Sequence, residues 1–222
     1  CVKERYIRNI GAITEAEAEL LRKSTVFVAG CGGLGGHIID QLLRIGVGSI
    51  RAADGDVFEE SNLNRQLLSA EPLMGVSKAK AAMLHARQVN SDVSFTAYPE
   101  YITGDNAEAL IAGCDIVIDA LDSIAARKLL KAGCDRQGIP FVHGAVSDWR
   151  AQAALTLPGD GFLDKLYPMD DTPGRKCVLA FTPAVCAALQ TSLCVKYLCG
   201  REVEAGRLIY LDLDDMELFS FL

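Results

Sequence analysis

Apolar residues recur along this chain in short, β-branched runs that alternate with segments of helical spacing. Thr25–Ala29, Ser49–Ala53, Val93–Tyr98, Asp115–Ala120 and Pro140–Gly144 read as strands, and Asp115–Ala120, with Ile116, Val117 and Ile118 in a row, reads as a buried one. Helical patterns lie between them. Leu34–Ile45 is stopped by Gly46, and residues 78–90 are capped by Ser77, with Ala79, Ala82, Met83 and Ala86 on one face. Asp105–Ala112 and Ala125–Gln137 complete the series, the latter ended by Gly138. Strand and helix at such short intervals predict an α/β fold: a Rossmann-like, doubly wound, mostly parallel sheet with right-handed crossovers. The character changes from residue 150. Ala151–Leu157 and Leu208–Leu213 read as strands, expected to run antiparallel. Thr182-Pro183 is read as N-cap and first position of a helix reaching Cys199. At the other end, Thr14 and Glu17 form a capping-box signal. The expected organisation is one domain over residues 1–222, with a helical N-terminal arm over 1–24. The Gly-, Pro- and Asp-rich stretch 158–181 is expected to be a functional or mobile loop.

Composition narrows this picture. Half of the 222 residues are hydrophobic, which suits a packed core and disfavours disorder. A formal charge of −7 and a pI near 5.0 argue against general affinity for nucleic acid or an anionic membrane. No apolar run approaches the roughly 20 residues of a membrane span and no secretory leader is seen, so a cytoplasmic location is expected. The eight cysteines include no C-x-x-C pair, so no zinc is expected and the thiols read mostly as reduced, buried groups. His37, His85 and His143 form no ligand or triad spacing.

The candidate chemistry begins at Gly30, Gly32 and Gly35, with Gly33 and Leu34 between them. This G-x-G-x-x-G run follows a strand and opens a helix, the setting in which backbone N–H groups and a helix N-terminus receive a nucleotide phosphate. Asp54, at the end of the second strand, can accept from ribose hydroxyls, which suits NAD and ATP equally; Asp56 could instead brace the following loop. Asn62, Arg65 and Gln66 stand in a loop at the carboxyl edge of the sheet, where an arginine suits a polyphosphate or is simply solvated. Lys78 occupies a helix first turn, a poor place for a cation unless an anion such as a β- or γ-phosphate lies nearby; the alternative reading is a surface lysine. Asp122, beside the glycine loop, is a candidate Mg²⁺ ligand and also a candidate cap for the next helix. Cys177 follows Arg175-Lys176, and basic neighbours lower a thiol pKa.

Arg5-Tyr-x-Arg8, Gly30-Cys-Gly-Gly-Leu-Gly35, Asp54-x-Asp56, Asn62-Leu-Asn-Arg-Gln66, Gly75-Val-Ser-Lys78 and Asp119-Ala-Leu-Asp122 occur in one order over nearly the whole chain. This ordered set resembles the ThiF/MoeB/HesA family, bacterial relatives of the ubiquitin-activating enzymes. The resemblance implies a homodimeric adenylyltransferase that uses MgATP on the C-terminal glycine of a ubiquitin-like sulfur carrier ending in Gly-Gly. It implies Asp54 on the ribose, Arg65 and Lys78 on the phosphates, Asp122 on Mg²⁺, and Asn62 and Gln66 ordering the site. Arg8 would reach into the partner's site, the 158–181 stretch would be a mobile crossover loop, and Cys177 within it would bond covalently to the carrier or a sulfur donor. The family's paired C-x-x-C zinc motifs are missing here, and Ser123 stands where many members carry Asn. An ATP-dependent dehydratase of a modified tRNA adenosine and an NAD-dependent oxidoreductase are the alternative readings.

Overall fold

A computed structural model describes residues 2–169 and 177–221. After a single 3-10 turn at Glu4–Tyr6, the elements are α1 (Glu15–Lys23), β1 (Thr25–Ala29), α2 (Gly33–Ile45), β2 (Ser49–Ala53), α3 (Lys78–Val89), β3 (Ser94–Tyr98), α4 (Ala107–Ile111) and β4 (Ile116–Asp119). They continue as α5 (Ile124–Gln137), β5 (Phe141–Ser147), β6 (Arg150–Thr156), α6 (Phe162–Leu166), α7 (Phe181–Leu198), β7 (Leu208–Asp212) and β8 (Glu217–Phe221). No helix among the described residues is long and apolar enough to cross a membrane.

One sheet carries all eight strands, in the order β3-β2-β1-β4-β5-β6-β7-β8. The first five run parallel, and β6, β7 and β8 are added antiparallel. Alternation along each strand feeds two cores. Val26 and Val28 of β1 face α2, α3 and α7, together with Ile50, Ile116 and Ile118. Phe27 and Ala29 face the other layer, meeting Leu110, Leu130, Cys134 and Phe141. A period of two with both faces apolar is what a parallel sheet covered by helices requires. The order reverses between β1 and β4, so the loops leaving these two strands part and open a crevice at their carboxyl ends.

Three local expectations are corrected. The strand β8 is missed from the sequence because every residue of it is exposed at the sheet edge, so no burial pattern marks it. Helix α6 lies inside the stretch read as loop, of which residues 170–176 lie outside those described. Helix α7 starts at Phe181 with Ala180 as its cap; the Thr182 hydroxyl donates instead to the Asp148 carbonyl at 2.9 Å.

Candidate active site

The crevice is a cleft of about 470 Å³ that crosses the carboxyl edge of the sheet. Its walls come from the ends of β2 (Asp54–Asp56), β1 (Gly30), β4 (Ala120–Asp122) and β5 (Ala145, Val146). A larger cavity, about 710 Å³, opens at the opposite edge beneath Tyr6, Ala18 and Val47, and gathers none of the predicted nucleotide-site residues.

Sterics fix the glycine turn. Gly30 has φ +101°, and a Cβ there would lie 2.8 Å from the Ala120 carbonyl oxygen. A Cβ on Gly35 would lie 1.9 Å from the Gly30 carbonyl oxygen. Only glycine lets strand end and helix approach so closely. The N-cap of α2 is Gly32, which has no side chain to satisfy the first-turn N–H groups, and Gly32, Gly33 and Leu34 line the cleft. The positive end of a thirteen-residue helix is therefore offered to an anion.

Asp54 is wired to this turn. Its Oδ2 accepts from the Cys31 N–H at 2.7 Å and its Oδ1 from the Asp56 N–H at 2.8 Å. Burial pushes its carboxyl above the usual carboxylate range, while these two N–H groups and Lys78 pull the other way. Lone pairs remain for hydroxyl donors. Asp56 accepts from Lys78 Nζ at 3.0 Å and from the Tyr101 hydroxyl at 2.6 Å. The Tyr101 bond first, and Lys78 after it, hold Asp56 below the usual range. Lys78 is 7% exposed, so the surface reading is excluded; Asp56 is the anion that compensates its place in a helix first turn.

The Asn62–Gln66 loop is built by Asn62, which is buried. Its Oδ1 accepts from the Glu59 N–H at 3.1 Å, and its carbonyl accepts from the N–H groups of Arg65 and Gln66. Arg65 and Gln66 thereby reach the cleft wall, where Arg65 Nη1 donates to the Ser61 carbonyl at 2.9 Å. Gln66 is buried, and its Oε1 meets no donor among the described residues. Asp122 is exposed on the opposite wall, and the cap of α5 is Ser123, whose Oγ accepts from the Ala126 N–H at 3.2 Å.

Arg8 is exposed on the N-terminal arm and does not line its own chain's cleft. Cys177 is exposed, and Val178 beside it lines the cleft. Its neighbours Arg175 and Lys176 lie outside the described residues. The buried thiols are inert by comparison: burial pushes Cys134 and Cys186 up to about 12.

One constellation is absent from the sequence reading. Asp119, Arg127 and His143 are buried and bonded together below the cleft floor, and Arg127 lines the cleft. Nothing in the spacing announces His143, because β5 brings it beside β4. The hint available was composition: a histidine inside an apolar strand run needs a partner when buried.

The ThiF family model matches residues 6–222. The chain belongs to the ThiF family. Among curated ThiF-type relatives, the SAMP-activating enzyme E1 of Haloferax volcanii is 35% identical over 223 residues, covering 96% of this chain and 82% of that protein. The adenylyltransferase and sulfurtransferase MOCS3 of Mus musculus is 36% identical over 163 residues, and that of Anopheles gambiae 33% over 200. The chain spans only 33% and 45% of those two proteins. In structure, E. coli MccB solved with ATP superposes with a TM-score of 0.86 at 22% identity, over 99% of this chain and 71% of that one. PaaA gives 0.79 at 23% identity, over 93% of this chain and 66% of that one. Both share the ThiF-like fold: a parallel core extended by antiparallel strands, flanked by helices.

Proposed function

We propose that this chain adenylates the C-terminal glycine carboxylate of a small ubiquitin-like sulfur carrier ending in Gly-Gly, using ATP and releasing pyrophosphate. One observation carries the reading: four separate segments bring Asp54, Arg65, Lys78 and Asp122 to one cleft around a glycine turn that tolerates no side chain. The names of the curated relatives, an activating E1 and adenylyltransferases, agree with it. As an ATP-dependent adenylyltransferase, the enzyme forms a bond from a carboxylate oxygen to the α-phosphorus. The bond from that phosphorus to the bridging oxygen breaks, and its electron pair leaves with pyrophosphate. No general base is required, because the carboxylate is already ionised at neutral pH.

The obstacle is charge: an anion must approach a polyanion. The α2 N-terminus, Arg65 and Lys78 offset that repulsion and stabilise the departing phosphates. Asp54 orients the ribose, and positioning supplies much of the remaining acceleration. A magnesium ion fits the donor set in its usual manner, with few protein oxygens. No cluster of three or more His, Cys, Asp or Glu that could hold a metal is found among the described residues, and Mg²⁺ prefers phosphates, waters and one or two carboxylates. Asp122 would hold it, and Gln66 Oε1, which meets no donor among the described residues, would offer a further acceptor in the cleft. When bound, the ion neutralises charge on the triphosphate.

Arg8 is assigned to the partner's cleft in a homodimer, and Cys177 to a thioester with the carrier, its thiolate displacing AMP from the adenylate, or to a persulfide, its thiolate taking sulfane sulfur from a donor persulfide whose own thiolate leaves. The domain reading is a single adenylation unit over residues 1–222, and two described residues of the 158–181 stretch, Tyr167 and Val178, line the cleft. The test is ATP–pyrophosphate exchange with a panel of recombinant ubiquitin-fold proteins ending in Gly-Gly. Wild-type protein should exchange only when a carrier is present, and Asp122→Ala should lower the rate at least 100-fold. Normal exchange in that variant would remove Asp122 from the mechanism.

A further inference from the structure

The reaction as described leaves a buried polar chain unused. Asp119 and His143 are each 0% exposed, in β4 and β5. Asp119 Oδ2 lies 3.1 Å from Arg127 Nη1 and 3.0 Å from His143 Nδ1; its Oδ1 accepts from the Leu121 N–H at 3.0 Å. An ionised carboxylate accepts only, so His143 carries its proton on Nδ1 and presents Nε2 as an acceptor. Two groups meet that nitrogen: the Tyr167 hydroxyl at 3.1 Å and Gln152 Nε2 at 3.2 Å. Gln152 Nε2 also lies 2.8 Å from the Tyr167 oxygen. The donors therefore run in one direction: Gln152 to Tyr167, Tyr167 to His143, His143 to Asp119.

The two ends of this chain lie in different walls of the cleft. At one end, Leu121 donates its N–H to Asp119 and its carbonyl accepts from Arg127, and it is the residue before Asp122. At the other, Tyr167 ends α6 and lines the cleft with Ala145 and Val146 of β5. The ribose-binding candidate, Asp54, leaves β2, and two strands (β1 and β4) separate β2 from β5. A nucleotide whose ribose lies at Asp54 and whose phosphates lie over the glycine turn leaves the β5 side for the incoming carboxylate.

We infer that Tyr167 and His143 are positioning residues for the acceptor half of the cleft, holding its wall in register with the Asp122 loop through Asp119. This rests on the adenylation reading. Tyr167 makes a second, aromatic contact with the same imidazole, edge-on at 5.6 Å between centroids, so its ring has one place to sit while the hydroxyl bond lasts. Removing the hydroxyl frees the wall and leaves Asp119, Arg127 and the nucleotide residues in place.

The experiment is steady-state exchange with the same Gly-Gly carriers, beside calorimetric ATP binding, for wild type, Tyr167→Phe, His143→Gln and the double variant. Loss of one bond of this kind corresponds to about tenfold. Tyr167→Phe should raise the carrier KM about tenfold with the ATP Kd changed by less than twofold. The double variant should be no worse than His143→Gln alone, since both break one link. A merely structural role would move both substrates or neither. An active wild type with an unchanged carrier KM in Tyr167→Phe overturns this inference and leaves adenylation standing. A shift of the ATP Kd equal to that of the carrier KM also overturns it. A wild type that binds ATP but exchanges with no carrier overturns the adenylation reading and this role with it. If His143→Gln fails to fold, Tyr167→Phe alone decides, because it deletes one oxygen and keeps the ring.

Discussion

Replacing Gly35 by alanine sets two effects of known size against each other. Within a helix, alanine is favoured over glycine by about 0.8–1.0 kcal/mol. At Gly35 the new Cβ would sit 1.9 Å from the Gly30 carbonyl oxygen, whereas real Cβ atoms keep at least 3.0 Å. The obstacle is backbone, so no rotamer relieves it, and α2 must move off the end of β1. Overpacking of this kind costs typically 1–3 kcal/mol and occasionally more. The steric term wins, and we expect a net loss of about 2 kcal/mol, or about 5 °C in Tm for a domain of this size. Displacing Gly30 also tilts the N–H groups at the α2 N-terminus, so the ATP Kd should rise at least tenfold, the worth of about one good hydrogen bond. Gly133, inside α5, is the control. Its added Cβ would meet Ile111 Cδ1 at 3.5 Å and Glu108 Cγ at 3.7 Å, ordinary contacts. Gly133→Ala should therefore stabilise the fold by about 0.5–1 kcal/mol and leave ATP binding alone. Urea unfolding and calorimetry measure both. A Gly35→Ala protein as stable as Gly133→Ala, binding ATP like wild type, would refute the steric account of the turn.

Other consequences are open to measurement. Lys78→Met should weaken ATP binding by about 10- to 100-fold, the range of a lost charge-assisted bond, and Lys78→Arg should not restore it, because a planar fork does not fit a buried point-charge site; full affinity in either variant, by calorimetry, would place the triphosphate elsewhere. Burial holds the His143 imidazole below its ordinary value of 6.5, so the stability gained by keeping it neutral is complete above that value and is lost as the pH falls through and below it. Thermal melts between pH 7.5 and 5 should show that loss, smaller in His143→Gln, and an identical slope in both proteins would rule out His143 as its source. Cys177→Ser should retain carrier-dependent exchange yet lose any thiol-sensitive adduct on non-reducing gels; loss of exchange would move Cys177 into the adenylation step.

Strand and helix boundaries were legible where burial and turn chemistry coincide. Thr25–Ala29 and Ser49–Ala53 match β1 and β2 residue for residue, because each is closed by a glycine or polar stop, Gly30 and Asp54. The capping box at Thr14 is real, with Glu17 N–H on Thr14 Oγ1 at 3.2 Å and Glu17 Oε2 on the Thr14 N–H at 2.7 Å. The half of the cleft that we assign to the nucleotide was gathered from sequence for a related reason. Its residues sit at strand ends or in short loops, so linear order and the carboxyl-edge rule together place them on one rim. Lys78 shows the limit. Its first-turn position suggested a nearby anion such as a β- or γ-phosphate, and the anion that the structure pairs with it is Asp56, 22 residues earlier in the chain.

The acceptor half was not legible, and the reason is pairing between strands rather than any weakness of local signal. His143 faces Asp119 only because β5 lies parallel beside β4 with Val142 opposite Ile118. Gln152 joins them because β6 returns antiparallel, with His143 opposite Ala154. A slip of one residue in either pairing would turn these side chains to the other face of the sheet and strand them in an apolar core. Each polar side chain buried there is costly unless every partner arrives, so the network penalises alternative registers more steeply than the apolar pairs around it do. The same groups that hold the Tyr167 wall therefore also help specify the register of β4, β5 and β6. That double duty predicts an asymmetry: Tyr167→Phe, which leaves every strand partner in place, should change substrate handling with little loss of stability. His143→Leu strands the Asp119 carboxylate and should cost far more in folding than its own hydrophobicity could return.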